Sequence, residues 1–299
     1  METRQFGKTD MQVSVLGFGG SEIRGASPSD VEQLLNSALD AGVNVLDTGE
    51  CYGDSEDLIG RAVASRRSDY FLFTKCGHAV GEELPDYPDW DPRLLEASIE
   101  RSLRRLRTDH VDLLQLHSCS LDVLRKGDVI KVLEKAKREG KTRYIGYSGD
   151  NEDARYAIHT GAFDTLQTSV NIADQQEIDF TLPAARERGM GIIAKRPIAE
   201  GVWLRENVAK NAYAYPYWER LQTLNYDFLK SGASSSIATA VRFTLSVSGV
   251  DVAIVGTTTV DHMRENIDMI AAGNLSEDEF NAIRATWEER ADQHWLAQG

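Results

Sequence analysis

Cysteine is scarce, with three in 299 residues, and Cys51, Cys76 and Cys119 have no CxxC spacing. An odd, widely spaced set argues against a disulfide scaffold and for reduced thiols. With His78 and His117 they still lack the short ligand spacing of a structural zinc site, so no metal is expected. Positive charge is also in deficit. The formal net charge is -14 without a compensating Lys/Arg cluster, which argues against nucleic acid or an anionic membrane as partner. Long apolar runs are missing: none approaches the roughly 20 residues that span a bilayer, and the opening METRQFGKTD lacks a signal-peptide core. A cytoplasmic protein is expected. The GxGxxG fingerprint is absent too, since GFGGSE after the first apolar run has neither its spacing nor the acidic residue about 20 positions on.

What is present is alternation. Apolar runs of strand length begin at Val13, Asn44, Tyr70, Val111, Arg143, Thr165, Gly191 and Asp251. Amphipathic stretches such as SDVEQLLNSALDAG, PRLLEASIERSLRRLR, DVIKVLEKAKREGK and TLPAARERG lie between them, several closing on a C-cap glycine. Strand followed by helix, eight times over, predicts an α/β fold, a (β/α)8 TIM barrel, as one domain over residues 1–299. Two additions are expected: an N-terminal β-hairpin turning at KTD, before or across the first barrel strand, and an extra C-terminal helix. The segment from Ala199 to Ser236, which holds Trp203, Tyr213, Tyr215, Tyr217, Trp218 and Tyr226, is either a functional loop or a packed helical layer.

A parallel barrel assembles its active site where its strands end, at the C-terminal face. The second run ends at Asp47, the third at Lys75 and the fourth at His117, with Tyr52 in the loop after Asp47. A free phenol has a pKa of about 10, and a neighbouring ammonium favours its phenolate. Lys75 is placed to be that ammonium, Asp47 to hold it, and His117 to donate to a carbonyl oxygen or share the proton. Such a set protonates a forming alkoxide. It offers neither a nucleophile nor a metal, so acyl transfer and metal-assisted hydrolysis fit poorly. Carbonyl reduction fits, and its hydride must come from a nicotinamide cofactor.

LDTGECYGDSE, FTKCG and LLQLHS, which carry Asp47, Tyr52, Lys75 and His117, resemble the catalytic tetrad of the aldo-keto reductases. The resemblance extends over nearly the whole chain, through IGYSG, LQTSVN, AKRPIAEG and VGTTTVDHMREN. It implies NAD(P)H-dependent, reversible reduction of aldehydes or ketones to alcohols, with Tyr52 as proton donor. NADP(H) is the expected cofactor and NAD(H) the alternative, bound extended without a Rossmann domain. A carbonyl or alcohol of small size would be the substrate, and the oligomeric state stays open. By the same resemblance Ser148 and Gln167 would hold the nicotinamide carboxamide, with Gly149 where the family usually has Asn. Lys195 stands where many members stack an aromatic ring, so its aliphatic stem or Arg196 would cover that face. Arg196 could instead contact the pyrophosphate or form a surface salt bridge. Gly20, Pro197, Ile198 and Gly201 would complete the cofactor contacts beside Asp47. Gly256 and His262 occupy the positions of two basic residues that grip the 2′-phosphate, leaving Thr257, Thr258 and a helix N-terminus to meet an anion. Glu265 and Asn266 match adenine contacts. Trp90 and Trp203 are candidates for the substrate pocket. A nucleotide-bound regulatory or partner-binding subunit with slow or no turnover is the competing reading.

Overall fold

The computed structural model describes residues 1–81 and 83–298. The chain opens with an antiparallel hairpin, β1 (Thr3–Gln5) and β2 (Gln12–Ser14), in the register Thr3 opposite Ser14. Thr9 ties its turn, both its N–H and its hydroxyl donating to the Phe6 carbonyl. Gly7 has a left-handed φ of +51°, and a Cβ there would lie 2.3 Å from the Gly191 nitrogen. No larger residue fits that approach.

The hairpin precedes the barrel and plugs its N-terminal end. Phe6, Met11 and Val13 form one buried cluster with Val45, Phe73, Leu113, Ile193 and Val252 from the barrel interior. Phe6 stacks on Phe73 with ring centroids 5.6 Å apart. Each such side chain removed from water stabilises the fold by about 1.5–3 kcal/mol.

Eight parallel strands then close a ring: β3 (Leu16–Gly19), β4 (Val45–Asp47), β5 (Phe71–Cys76), β6 (Val111–His117), β7 (Thr142–Ser148), β8 (Thr165–Ser169), β9 (Gly191–Lys195) and β10 (Val252–Val255), with β10 pairing β3. The expected (β/α)8 barrel is therefore the fold. The run that begins at Val13 divides, because Val13 belongs to the hairpin and the barrel strand starts at Leu16. The Ser14 N–H donates to the Asn44 side chain and the Ser14 hydroxyl to the Leu16 carbonyl, which turns the chain between the two strands.

Around the ring, helices lay apolar stripes on the strands. Pro28–Asp40 buries Val31, Leu34, Leu35, Ala38 and Leu39, an i, i+3, i+4 pattern, and Pro92–Leu106 starts on Asp91, whose carboxylate accepts from the Arg93 N–H. Much of the aromatic segment after β9 is a packed helical layer: Tyr217 and Tyr226 are buried, and the Trp203 indole donates to Ser236 Oγ. The extra C-terminal helix, Glu277–Arg290, begins with a capping box between Ser276 and Glu279. The chain beyond it returns to the barrel mouth, where the Gln298 carbonyl accepts from Ser169 and Arg196. No described helix is long and apolar enough to cross a membrane.

Candidate active site

The strand ends bring the expected residues together. Asp47 ends β4, Lys75 lies one residue short of the end of β5, and His117 and Ser148 end β6 and β7 directly opposite one another. Ser148 in turn pairs with Gln167 on β8. Tyr52 projects from the turn before the helix Ser55–Val63. All six line a cleft of about 990 Å³ at the C-terminal face, with Gly20, Lys195, Arg196, Pro197, Ile198, Gly256, Thr257, Thr258 and His262.

At the base of the cleft the Lys75 ammonium donates to Asp47 Oδ1 and, at 2.7 Å, to the Thr48 carbonyl. Burial works most strongly against that ammonium, but Asp47, Tyr52 and Cys51 together outweigh it and hold the Lys75 pKa above its ordinary value. Lys75 Nζ lies 4.9 Å from the centre of the Tyr52 ring. The expected pull of Lys75 on the phenol is present, but it is not the largest influence. Burial comes first and the net effect raises the Tyr52 pKa, so the hydroxyl keeps its proton at neutral pH. Burial, then the charge of Lys75, drives the His117 pKa well below the ordinary value. That imidazole is neutral. Its Nδ1 lies 3.3 Å from the thiol of Cys51, whose own pKa is pushed up to about 11 by burial.

The wall formed by Ser148 and Gln167 carries an unmet hydrogen-bonding demand. Gln167 is 1% exposed, and among the described residues neither its Oε1 nor its Nε2 has a partner. An amide that buries both a donor and an acceptor is costly unless a ligand supplies their complements. A carboxamide does so, and the nicotinamide ring carries one. Gly149 has a packing cause, since a Cβ there would meet the Tyr147 ring at 2.7 Å while the Tyr147 hydroxyl donates to the Cys119 carbonyl. Lys195 is buried and ion-paired to Asp150 Oδ2 at 2.7 Å, so its charge is matched, and the residue lines the cleft. Among the described residues Arg196 forms no surface salt bridge. It donates to Ser169 Oγ and the Gln298 carbonyl, and its guanidinium lies 5.0 Å from the centre of the Tyr213 ring. Arg196, Ala199 and Glu200 all have left-handed φ values, of 56°, 43° and 58°. Strain of this kind clusters at ligand clamps.

Other placements differ. Glu265 and Asn266 lie on the helix Val260–Ile270, outside the described cleft lining, as do Gly201, Trp90 and Trp203. Trp90 stands one ring back, edge-on to His78, which does line the cleft. The lining also includes Glu22, Arg24, Ser118, Glu200, Arg205 and Tyr213, none of which the sequence singled out as site residues. Glu22 and Ser118 follow strand ends, so the rule that found Asp47 could have found them. Asp150 and Gln115 were missed as supports: Gln115 donates to Asp47 Oδ2 at 3.3 Å. Among the described residues no three of His, Cys, Asp or Glu are grouped to hold a metal ion.

A parallel barrel with an acid–base cluster at the carboxyl ends of its strands has the layout of a barrel enzyme. The chain belongs to the aldo/keto reductase family, whose model matches residues 15–288, and is an oxidoreductase by that membership. An uncharacterized oxidoreductase of Bacillus subtilis is 26% identical to it over 95% of this chain and 96% of that one. The L-galactose dehydrogenase of Arabidopsis thaliana is 28% identical over 89% and 87%. An aldo-keto reductase from Bacillus halodurans, in its holo form, superposes with a TM-score of 0.83 over 98% of this chain and 99% of that one; at 24% identity this supports the fold alone.

Proposed function

We propose that the protein reduces an aldehyde or ketone to an alcohol, reversibly, with Tyr52 as proton donor and NADP(H) or NAD(H) as cofactor. The observation that carries the proposal is the joint placement of Asp47, Lys75, Tyr52 and His117 beside the unpaired Gln167 amide in one cleft. When bound, the nicotinamide supplies the hydride that no side chain can. Ser148 and Gln167 would hold its carboxamide, Gly20, Lys195 to Ile198 and Gly256 to Thr258 would line the rest of the cofactor site, and His262, Glu265 and Asn266 would meet its adenosine portion.

The phenol of Tyr52 transfers its proton to the carbonyl oxygen as that oxygen gains charge. Lys75 stabilises the phenolate left behind, and Asp47 keeps Lys75 charged and aimed. In the tautomer this mechanism uses, the protonated Cys51 thiol donates to Nδ1 of the neutral His117 and the ring proton on Nε2 hydrogen-bonds the same carbonyl oxygen. Such donors are already aimed before reaction, so they stabilise developing charge without reorganisation.

The test is steady-state consumption of NADPH and of NADH with a panel of aldehydes and ketones. Turnover that depends on the carbonyl compound is expected. Its absence across the panel, with cofactor binding intact, would support a non-catalytic nucleotide-bound subunit instead.

A further inference from the structure

We infer that His78 is a specificity-determining residue, which hydrogen-bonds a hydroxyl on the carbon chain beside the substrate carbonyl and so selects hydroxylated carbonyl compounds. The inference rests on the carbonyl-reductase reading of the cleft. The His117 ring is flanked by Tyr52 at a centroid distance of 5.7 Å and by His78 at 5.4 Å, both edge-on. A carbonyl oxygen held between Tyr52 and His117 therefore places the rest of its carbon chain within reach of His78.

The His78 imidazole is fixed from several directions. Its backbone N–H donates to Glu50 Oε1 at 2.7 Å, and the next N–H, of Ala79, donates to Asp89 Oδ1 at 2.7 Å. Glu50 is itself buried, and Ser98 hydrogen-bonds its other oxygen. The opposite oxygen of Asp89 takes the ring Nδ1 at 3.1 Å. Trp90 then closes the loop, its N–H donating to the Gly77 carbonyl at 3.0 Å and its ring edge-on to His78 at 5.2 Å. Gly77 is required for that closure, since its φ is +144° and a Cβ would lie 2.2 Å from the Trp90 ring.

The bond to Asp89 decides what the ring can offer. A carboxylate only accepts, so Nδ1 carries a proton and Nε2 is the remaining polar atom. Nε2 has no hydrogen-bond partner among the described residues, and the side chain is 29% exposed while lining the cleft. A neutral ring presents a lone pair there and a charged ring an N–H. A hydroxyl, unlike an alkyl group or a second carbonyl, satisfies either form. A site built around such a bond rejects the analogue that lacks the hydroxyl, because the nitrogen is then left unmatched.

The experiment compares glyceraldehyde with propanal in wild type, His78→Phe and His78→Gln, reading kcat and KM separately. Wild type should favour glyceraldehyde in kcat/KM by about tenfold or more, chiefly through KM. His78→Phe keeps a flat ring against Trp90 and should collapse the ratio toward unity, whereas His78→Gln, which still offers a donor and an acceptor, should restore part of it. Equal use of the two aldehydes by wild type, or an unchanged ratio in His78→Phe, would overturn the inference and leave the reductase reading standing. No turnover of either aldehyde by a wild-type protein whose tryptophan fluorescence still responds to NADH would overturn both.

Discussion

Asp47 and Lys75 meet at the C-terminal ends of neighbouring strands β4 and β5, in an ion pair whose side chains are each 2% exposed. Burial penalises both charges, so each relies on the other and on the added bonds from Gln115 and to the Thr48 carbonyl. Asp47→Asn leaves the ammonium buried without its counter-ion and should cost about 3–5 kcal/mol in urea unfolding. Adding Lys75→Met should recover part of that loss. A double variant less stable than Asp47→Asn would show that the two side chains do not act as a pair.

Tyr52→Phe removes the proton donor while keeping the ring that packs edge-on against His117. Carbonyl reduction should fall by on the order of 10²-fold or more, with the dissociation constant for the reduced cofactor nearly unchanged. A variant that keeps most of its turnover would remove Tyr52 from the chemistry.

The raised pKa of Tyr52 fixes the sign of a pH effect. Reduction uses the protonated phenol and is sustained below that pKa, whereas alcohol oxidation uses the phenolate and rises as pH approaches it. Lys75 pulls the pKa down against the larger effect of burial, so Lys75→Met should move it higher still. The reduction plateau should extend to higher pH and the rise in oxidation should shift the same way. Unchanged pH–rate profiles in a folded, active Lys75→Met variant would make Lys75 structural.

Legibility followed the period of the pattern. Eight apolar runs separated by helical stretches gave the barrel, and the strand-end rule placed Asp47, Lys75 and His117 at one face because β4, β5 and β6 are neighbours in the ring. The same rule stopped short of groups that support the site from a distance. Gln115 reaches Asp47 from the next strand but one, and Asp150, just past β7, neutralises Lys195 at the end of β9; such pairings skip a strand in the ring, which local spacing does not encode. The hold of the Gln298 carbonyl on Arg196 spans 102 positions, so nothing near AKRP announces it. The Tyr52 pKa went astray for a related reason: charge is visible in a sequence, whereas the desolvation that outweighs it is a property of the packed cleft.

Gln167 separates binding from folding. Its amide is buried and unpaired among the described residues, so replacing it with Leu removes polar atoms that make no bond within the chain. Thermal stability without cofactor should stay level or rise, while the dissociation constant for NADH or NADPH should weaken by about tenfold, the scale of one or two hydrogen bonds. Loss of stability with unaltered cofactor affinity would mean that Gln167 serves the core.

Cofactor choice turns on the opposite wall. By the family resemblance Gly256 and His262 stand where a 2′-phosphate would be met, and neither brings a fixed positive charge, while Glu22 beside them adds a negative one: a Cβ on Gly256 would lie 2.5 Å from Glu22 Cγ. Burial, then the Glu22 carboxylate, raises the pKa of Glu200 on the same cleft, so the two acids share one field against the opposing pull of Arg196 and Arg205. An added phosphate dianion meets that field, whereas the ribose diol of NADH can donate to a carboxylate. Wild type should therefore bind NADPH no more tightly than NADH. Glu22→Gln should improve NADPH selectively, and Glu22→Lys by more, shifting the ratio of dissociation constants by about tenfold, equivalent to about 1.4 kcal/mol. Glu22 is exposed, so the shift should shrink as salt is raised. Fluorescence titrations of both cofactors at low and high salt decide the matter. A strong wild-type preference for NADPH that Glu22→Lys leaves unmoved would place phosphate recognition on Thr257, Thr258 and the helix N–H groups alone.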